Sequence, residues 1–159
     1  MVGIKEELRM ARLEWTVVAQ SYVVDRESNS LSILNVLDEL NIPNEVPDPP
    51  PGQQIAIGPA FSVIQNWSRT NSGIPERISG RFQLFRPDGT VVAGVEFFVD
   101  LASADRARSM INLPFFPFSG IGNYRMTVDL KVGDDWQKLT EQVLAVKRVE
   151  TRPPDAPPT

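Results

Sequence analysis

The side chains that could do chemistry here are acidic, and their spacing limits what they can do. The candidate pairs are Asp38-Glu39, Glu96 with Asp100, and Asp134-Asp135. Neighbours on a strand point to opposite faces, so Asp38 and Glu39 do not converge on one substrate. Glu96 and Asp100 share a face but stand roughly 13 Å apart at the usual rise, beyond the reach of a glycosidase pair. Asp134-Asp135 falls where a tight hairpin is expected, and acidic residues there serve turn geometry. No loop offers the alternating oxygen ligands of a calcium motif. The chain contains neither cysteine nor histidine, which removes disulfides, thiolate nucleophiles, His- and Cys-based metal centres and Ser-His-Asp catalysis. Gly120-Ile121-Gly122 leads into a strand, so no helix N-terminus is at hand to hold a phosphate. No catalytic residue, metal ligand or cofactor is expected, and the chain reads as a non-enzyme.

Binding residues are the remaining candidates. Trp67 and Arg69 lie in the polar run Asn66 to Gly73. That run reads as an end loop able to stack on a sugar or base, unless Trp67 packs beneath the sheets. Apolar excess on nominally outer positions gives a second candidate surface of Phe98, Phe115, Phe116 and Phe118. Left open beside an edge strand, such a patch serves protein partners or self-association; covered by a second layer, it is core.

These candidates hang on strands. The central stretch Ile78 to Leu101, ISGRFQLFRPDGTVVAGVEFFVDL, alternates apolar and polar residues on both sides of Pro87-Asp88-Gly89, the pattern of a hairpin. A three-residue loop pairing Arg86 with Thr90 would set the two apolar rows on opposite faces. A four-residue loop, bringing Leu84 beside Val91, or a compensating bulge is therefore expected. Leu13 to Val24 reads as a first strand, with Leu13, Trp15, Val17 and Ala19 on one side and Val18 and Tyr22 on the other. Leu31 to Leu40 reads as its hairpin partner. The prolines between Asn41 and Gln54 exclude helix and central strand and indicate an extended crossover. Ile55 to Trp67 resumes strand character, with Ile55, Ile57, Phe61, Val63 and Ile64 as its apolar residues. Ala102 to Ser109 reads as a charged bridge with room for one helical turn. Met110 to Phe118, broken by Pro114 and Pro117, belongs on an edge, with Phe115 and Phe116 facing opposite ways. Tyr124 to Val132 alternates cleanly and turns at Gly133-Asp134-Asp135 into a last strand, Trp136 to Val149.

The expected fold is all-β, a two-layer antiparallel β-sandwich of seven or eight strands, immunoglobulin-like in outline, with a closed β-barrel as the alternative. Residues 1–11 read as a flexible leader, 12–150 as one domain, and 151–159, TRPPDAPPT, as a disordered tail. The net charge of −4 and the lack of a basic cluster speak against nucleic acid as a partner. No stretch is long and apolar enough to span a membrane, and no secretory signal is evident, so a cytoplasmic location is expected.

The order of pieces also resembles a known group. Asn29-Ser30-Leu31-Ser32-Ile33-Leu34-Asn35-Val36-Leu37-Asp38, then a proline-rich crossover, a strand pair with a "PDG" turn, and a late Gly122-Asn123-Tyr124 opening a strand are similar to a domain-of-unknown-function family of small bacterial β-sandwich proteins. That family typically reads "GKLSLIGIFD" in the second segment. Asn29-Ser30 stands here for its turn glycine, and Asn35-Val36-Leu37 for its "GIF". The resemblance implies a fold and no functional residue. The expected role is a protein–protein interaction or accessory module, as a homodimer or with another chain. The alternative is a small-ligand or carbohydrate-binding module working through the Trp67 loop.

Overall fold

The computed structural model describes residues 11–70 and 76–150. The stretch expected as a leader, up to residue 10, the expected tail at 151–159 and the end of the polar loop at 71–73 lie outside the described residues. Among the described residues eleven strands run in chain order. They are β1 (Ala11–Val24), β2 (Leu31–Val36), β3 (Glu39–Pro43), β4 (Ile55–Ile57), β5 (Phe61–Arg69), β6 (Arg77–Phe85), β7 (Val91–Asp100), β8 (Arg106–Leu113), β9 (Phe116–Phe118), β10 (Gly122–Val132) and β11 (Asp135–Val149). A four-stranded sheet, β2-β1-β5-β8, packs against a five-stranded sheet, β3-β11-β10-β6-β7, and a short β4-β9 ribbon stands beside them. The all-β sandwich expected from the alternation is the observed architecture. Its extra strands come from runs expected as one strand that divide: Leu31 to Leu40 into β2 and β3, Ile55 to Trp67 into β4 and β5, and Met110 to Phe118 into β8 and β9. Two strands also extend into segments that read as linkers, β5 through Asn66 to Arg69 and β8 back to Arg106. Polar side chains there occupy the outer face of a sheet, where alternation alone cannot separate strand from loop.

The central hairpin resolves its register conflict with a bulge. Arg86 N–H donates to Thr90 O at 3.0 Å and Gly89 N–H to Arg86 O at 2.9 Å, closing the short loop, while Gly89 takes φ +88. Such a left-handed angle suits glycine. The register then shifts between Leu84 and Phe85, so Leu84 meets Ala93 rather than Val91. From there Phe82 meets Val95, Gly80 meets Phe97 and Ile78 meets Val99, and one apolar row faces the core. Gly80 is required because the Phe97 ring lies against it, where a β-carbon would stand.

One pair departs from the antiparallel expectation. The run Leu31 to Leu40, expected as one strand, divides at Leu37-Asp38. Leu37 N–H donates to Val18 O in the first sheet (2.7 Å), and Asp38 O accepts from Ala145 N–H in the second (3.1 Å). The chain thus changes layers within two residues, and β3 runs parallel to β11. Arg148 of β11 then holds the proline-rich crossover, donating to Pro43 O (3.0 Å), to Val46 O and to Asp48 Oδ1 (2.6 Å).

The core fills the space between the layers. Phe61, Val63 and Trp67 of β5 meet Phe82 and Leu84 of β6, Tyr124, Met126, Val128 and Leu130 of β10, and Leu40 and Ile42 of β3 within one buried cluster. Tyr124 anchors one corner: its hydroxyl accepts from Ser119 N–H and donates to Gly120 O, both at 2.8 Å.

Candidate functional site: a trough on the curled sheet

The four-stranded sheet is flat neither in twist nor in outline. Its first hairpin, β1-β2, reaches over β5 and touches β8. Asn112 Nδ2 on β8 donates to the Tyr22 hydroxyl on β1 (3.3 Å), and Arg108 Nη2 donates to Asn29 O at the hairpin tip (2.8 Å). A third bond, Ser62 Oγ to Asn112 Oδ1 at 2.8 Å, holds Asn112 in place. The bend in the arm lies at Asn35, which takes φ 56 and donates from its amide to Gln20 Oε1 at 3.0 Å. Asparagine tolerates that conformation better than most side chains. The sheet is therefore a half-barrel whose concave side faces away from the main core. Ala19 and Ile64, buried completely, lie outside the inter-sheet cluster and line the underside of this curl.

A trough of about 640 Å³ opens in the curl. Its large apolar side chains are Trp15, Val24, Leu31, Ile33 and Met110, and its polar groups are Asn29, Asn66, Arg106 and Arg108. Trp15 reaches it because of a bulge. Leu13 pairs with Trp67 but Trp15 pairs with Asn66, so two steps on β1 oppose one on β5, with Glu14 as the extra residue. Leu13 keeps to the core side, and Trp15 turns to the outer side and stays 37% exposed. Strict alternation put Leu13 and Trp15 on one face, which is why the sequence did not single out Trp15. A bulge moves every later side chain to the other face, and only the partner strand reveals it. A second concavity of similar size, lined by Leu13, Trp15, Thr16, Leu139 and Gln142 among others, separates β1 from β11. Gln142 Nε2 bridges it to Thr16 O at 3.0 Å.

The residues singled out from the sequence are dispersed. Trp67, expected as a loop platform for a ligand, is 0% exposed. Its ring stands 6.2 Å from Phe97, and its indole N–H donates to Gln65 Oε1 at 3.1 Å. Its strand position points it inward, so it cannot meet a ligand. Arg69, at the strand end, donates from Nε to Asp105 Oδ1 at 3.0 Å. Phe116 (2% exposed) and Phe118 (0%) are core rather than patch, because pairing with β4 turns both inward. Phe116 packs 5.0 Å edge-on against Tyr124 and 6.1 Å from Phe61. Phe98 (65%) and Phe115 (45%) do stay exposed. Phe98 stands on the outer face of β7, the last strand of its sheet, with the Arg77 guanidinium 4.6 Å above its ring. Glu96 and Asp100 flank it and pair across the ladder with Arg81 and Arg77.

Glu76, which the sequence did not single out, is buried just before β6, and its Oε2 has no hydrogen-bond partner among the described residues. Burial pushes its carboxyl above the usual carboxylate range, and the Arg69 charge offsets part of that rise. A raised value means the fold prefers the protonated form. Its contribution to stability is therefore full below the unfolded value near 4.5 and is lost as pH rises through the folded one. Glu76→Gln is expected to be stabler than the wild type at neutral pH, with the gap closing on acidification. Thermal melts of both proteins from pH 4 to pH 8 check this, and a gap independent of pH would refute it.

No family model and no curated protein matches this chain. Solved structures similar in outline include the following three. A glycosyl hydrolase family 2 member from Bacteroides cellulosilyticus DSM 14838 aligns at 11% identity and TM-score 0.47, over 58% of this chain and 14% of that one. The C-terminal domain of wzt aligns at 9% identity and TM-score 0.47, over 87% and 74%. The PmoD soluble domain from Methylocystis sp. ATCC 49242 (Rockwell) aligns at 11% identity and TM-score 0.36, over 89% and 99%. The chain thus spans about a seventh of the hydrolase it matches, and none of the three lends it an activity.

Proposed function

We propose that this chain is a non-catalytic binding module that holds a saccharide in the trough of its curled sheet. The observation that carries the reading is Trp15, turned by the Glu14 bulge out of the core and into the mouth of the curl. A half-exposed indole beside the amides of Asn29 and Asn66 has the composition of a sugar site: an aromatic face for the apolar side of a pyranose, and donors and acceptors for its hydroxyls. The role expected for Trp67 passes to Trp15. The trough is open to solvent, which suits a segment of a chain more than an enclosed monomer.

A glycan array followed by titration calorimetry on the strongest binder tests this. Trp15→Ala is expected to weaken binding at least about tenfold, or roughly 1.4 kcal/mol, with its far-ultraviolet spectrum unchanged. Binding that survives Trp15→Ala would place the ligand elsewhere.

A second reading, contact with another protein, is favoured by Phe98. It is a large apolar side chain exposed on the last strand of a sheet, where self-association or an accessory partner adds contacts most readily.

A further inference from the structure

Resting on the trough reading, we infer that its ligand is anionic: a saccharide segment bearing carboxylates. Over the whole chain acidic residues outnumber basic ones, 20 to 16, yet the trough lining holds two arginines and no aspartate or glutamate. The local charge is opposite to the global one, a reversal that favours anions at this place and repels them elsewhere.

The two guanidiniums differ in how they are held. Arg108 is half-buried and fixed by Asn29, through Nη2 to the main-chain oxygen at 2.8 Å and Nη1 to Oδ1 at 3.5 Å. Its remaining N–H groups take no partner among the described residues. Arg106, two positions along the same strand face, is exposed and takes no side-chain partner among them. The nearby Glu14 carboxylate is engaged by the Ser68 hydroxyl and by Arg12 at 3.7 Å, and it lines the other concavity. Two same-strand guanidiniums with spare donors present forks to successive carboxylates, the group whose planar geometry they match. Residues two apart on a strand lie roughly 7 Å from one another, close enough to serve adjoining units of a uronic-acid chain. Two arginines are too few to follow a phosphate backbone, so nucleic acid fits less well.

The test is calorimetry on the full chain with short oligogalacturonate, alginate and hyaluronan oligomers, and with the methyl ester of the oligogalacturonate. At least one acidic oligomer is expected to bind, with affinity falling as salt rises. The ester should bind at least about tenfold more weakly than its acid. Arg106→Gln and Arg108→Gln should each lose about tenfold, and Trp15→Ala should lose binding of every oligomer. Because Arg108→Gln also unties the hairpin tip, its melting point is measured alongside. If that melt shifts, Arg106→Gln, on an exposed side chain, decides the question. Binding of neutral and esterified sugars as tight as that of acids, still lost in Trp15→Ala, would overturn the anionic inference and leave the trough reading standing. No binding of any sugar would overturn both. A short oligothymidylate binding more tightly than the acidic oligomers through Trp15 would overturn the commitment to a saccharide.

Discussion

Phe116→Asp is expected to abolish folding, whereas Phe98→Asp is expected to change stability by no more than about 1 kcal/mol. The two phenylalanines look interchangeable in the sequence, as apolar residues at nominally outer strand positions. Phe116 is sealed between Phe61 and Tyr124, and a carboxylate there has neither water nor a partner. The penalty exceeds about 5 kcal/mol, comparable with the whole stability of a small domain. The milder Phe116→Ala should cost about 3–5 kcal/mol. Phe98 gives up only its stack with Arg77 and sits already in solvent. Circular dichroism and urea unfolding of the three variants read the difference. A folded Phe116→Asp with a wild-type melt would return Phe116 to the surface. Sedimentation of Phe98→Asp then bears on protein contact. Loss of a wild-type self-association would favour that second reading, and identical behaviour would remove Phe98 from it.

Arg81→Ala is expected to destabilise by about 3 kcal/mol, although the residue lies on the outer face. Its Nε and Nη2 both donate to Asp129 Oδ2, at 2.9 and 2.6 Å, and its guanidinium stacks 4.5 Å from the Trp136 ring. The Asp129 side chain is only 7% exposed, so removing the arginine strands a carboxylate with little access to water. Arg81→Lys keeps the charge but loses the paired donors and the planar stack, and should fall between. Replacing both partners by leucine should recover most of the loss, because the pair's desolvation penalty disappears with it. A double-mutant cycle with Asp129→Ala measures the coupling. A coupling near zero would mean that Arg81 acts through Trp136 alone.

Much of the fold was legible because alternation is a local property. The β6-β7 hairpin, its turn glycine and the need for either a four-residue loop or a bulge all followed from ISGRFQLFRPDGTVVAGVEFFVDL. So did the β10-β11 hairpin from its own alternation, and the opposite fates of Phe115 and Phe116 followed from their adjacency. The candidate site was scarcely legible. Trp67 attracted attention through its polar neighbours, yet those neighbours are the outward half of a strand whose inward half it shares. Trp15 looked like an ordinary core residue in register with Leu13. Arg106 and Arg108 looked like a charged linker. Their meeting depends on the bulge at Glu14, on the bend at Asn35, and on how far β1-β2 swings over β5.

By itself the sequence determined the class, most of the strands and the chemistry that is absent, since period-two patterning, turn residues and the lack of histidine and cysteine need no partner to be read. Tertiary structure alone decided which face each strand shows, where the chain changes layers at Leu37-Asp38, and that β3 lies parallel to β11. It also decided that one sheet curls into a trough. The physical reason is the same for each. A strand's facing, register and curvature are set by hydrogen bonds and packing with segments distant in the chain, and a single bulge reverses every facing that follows it.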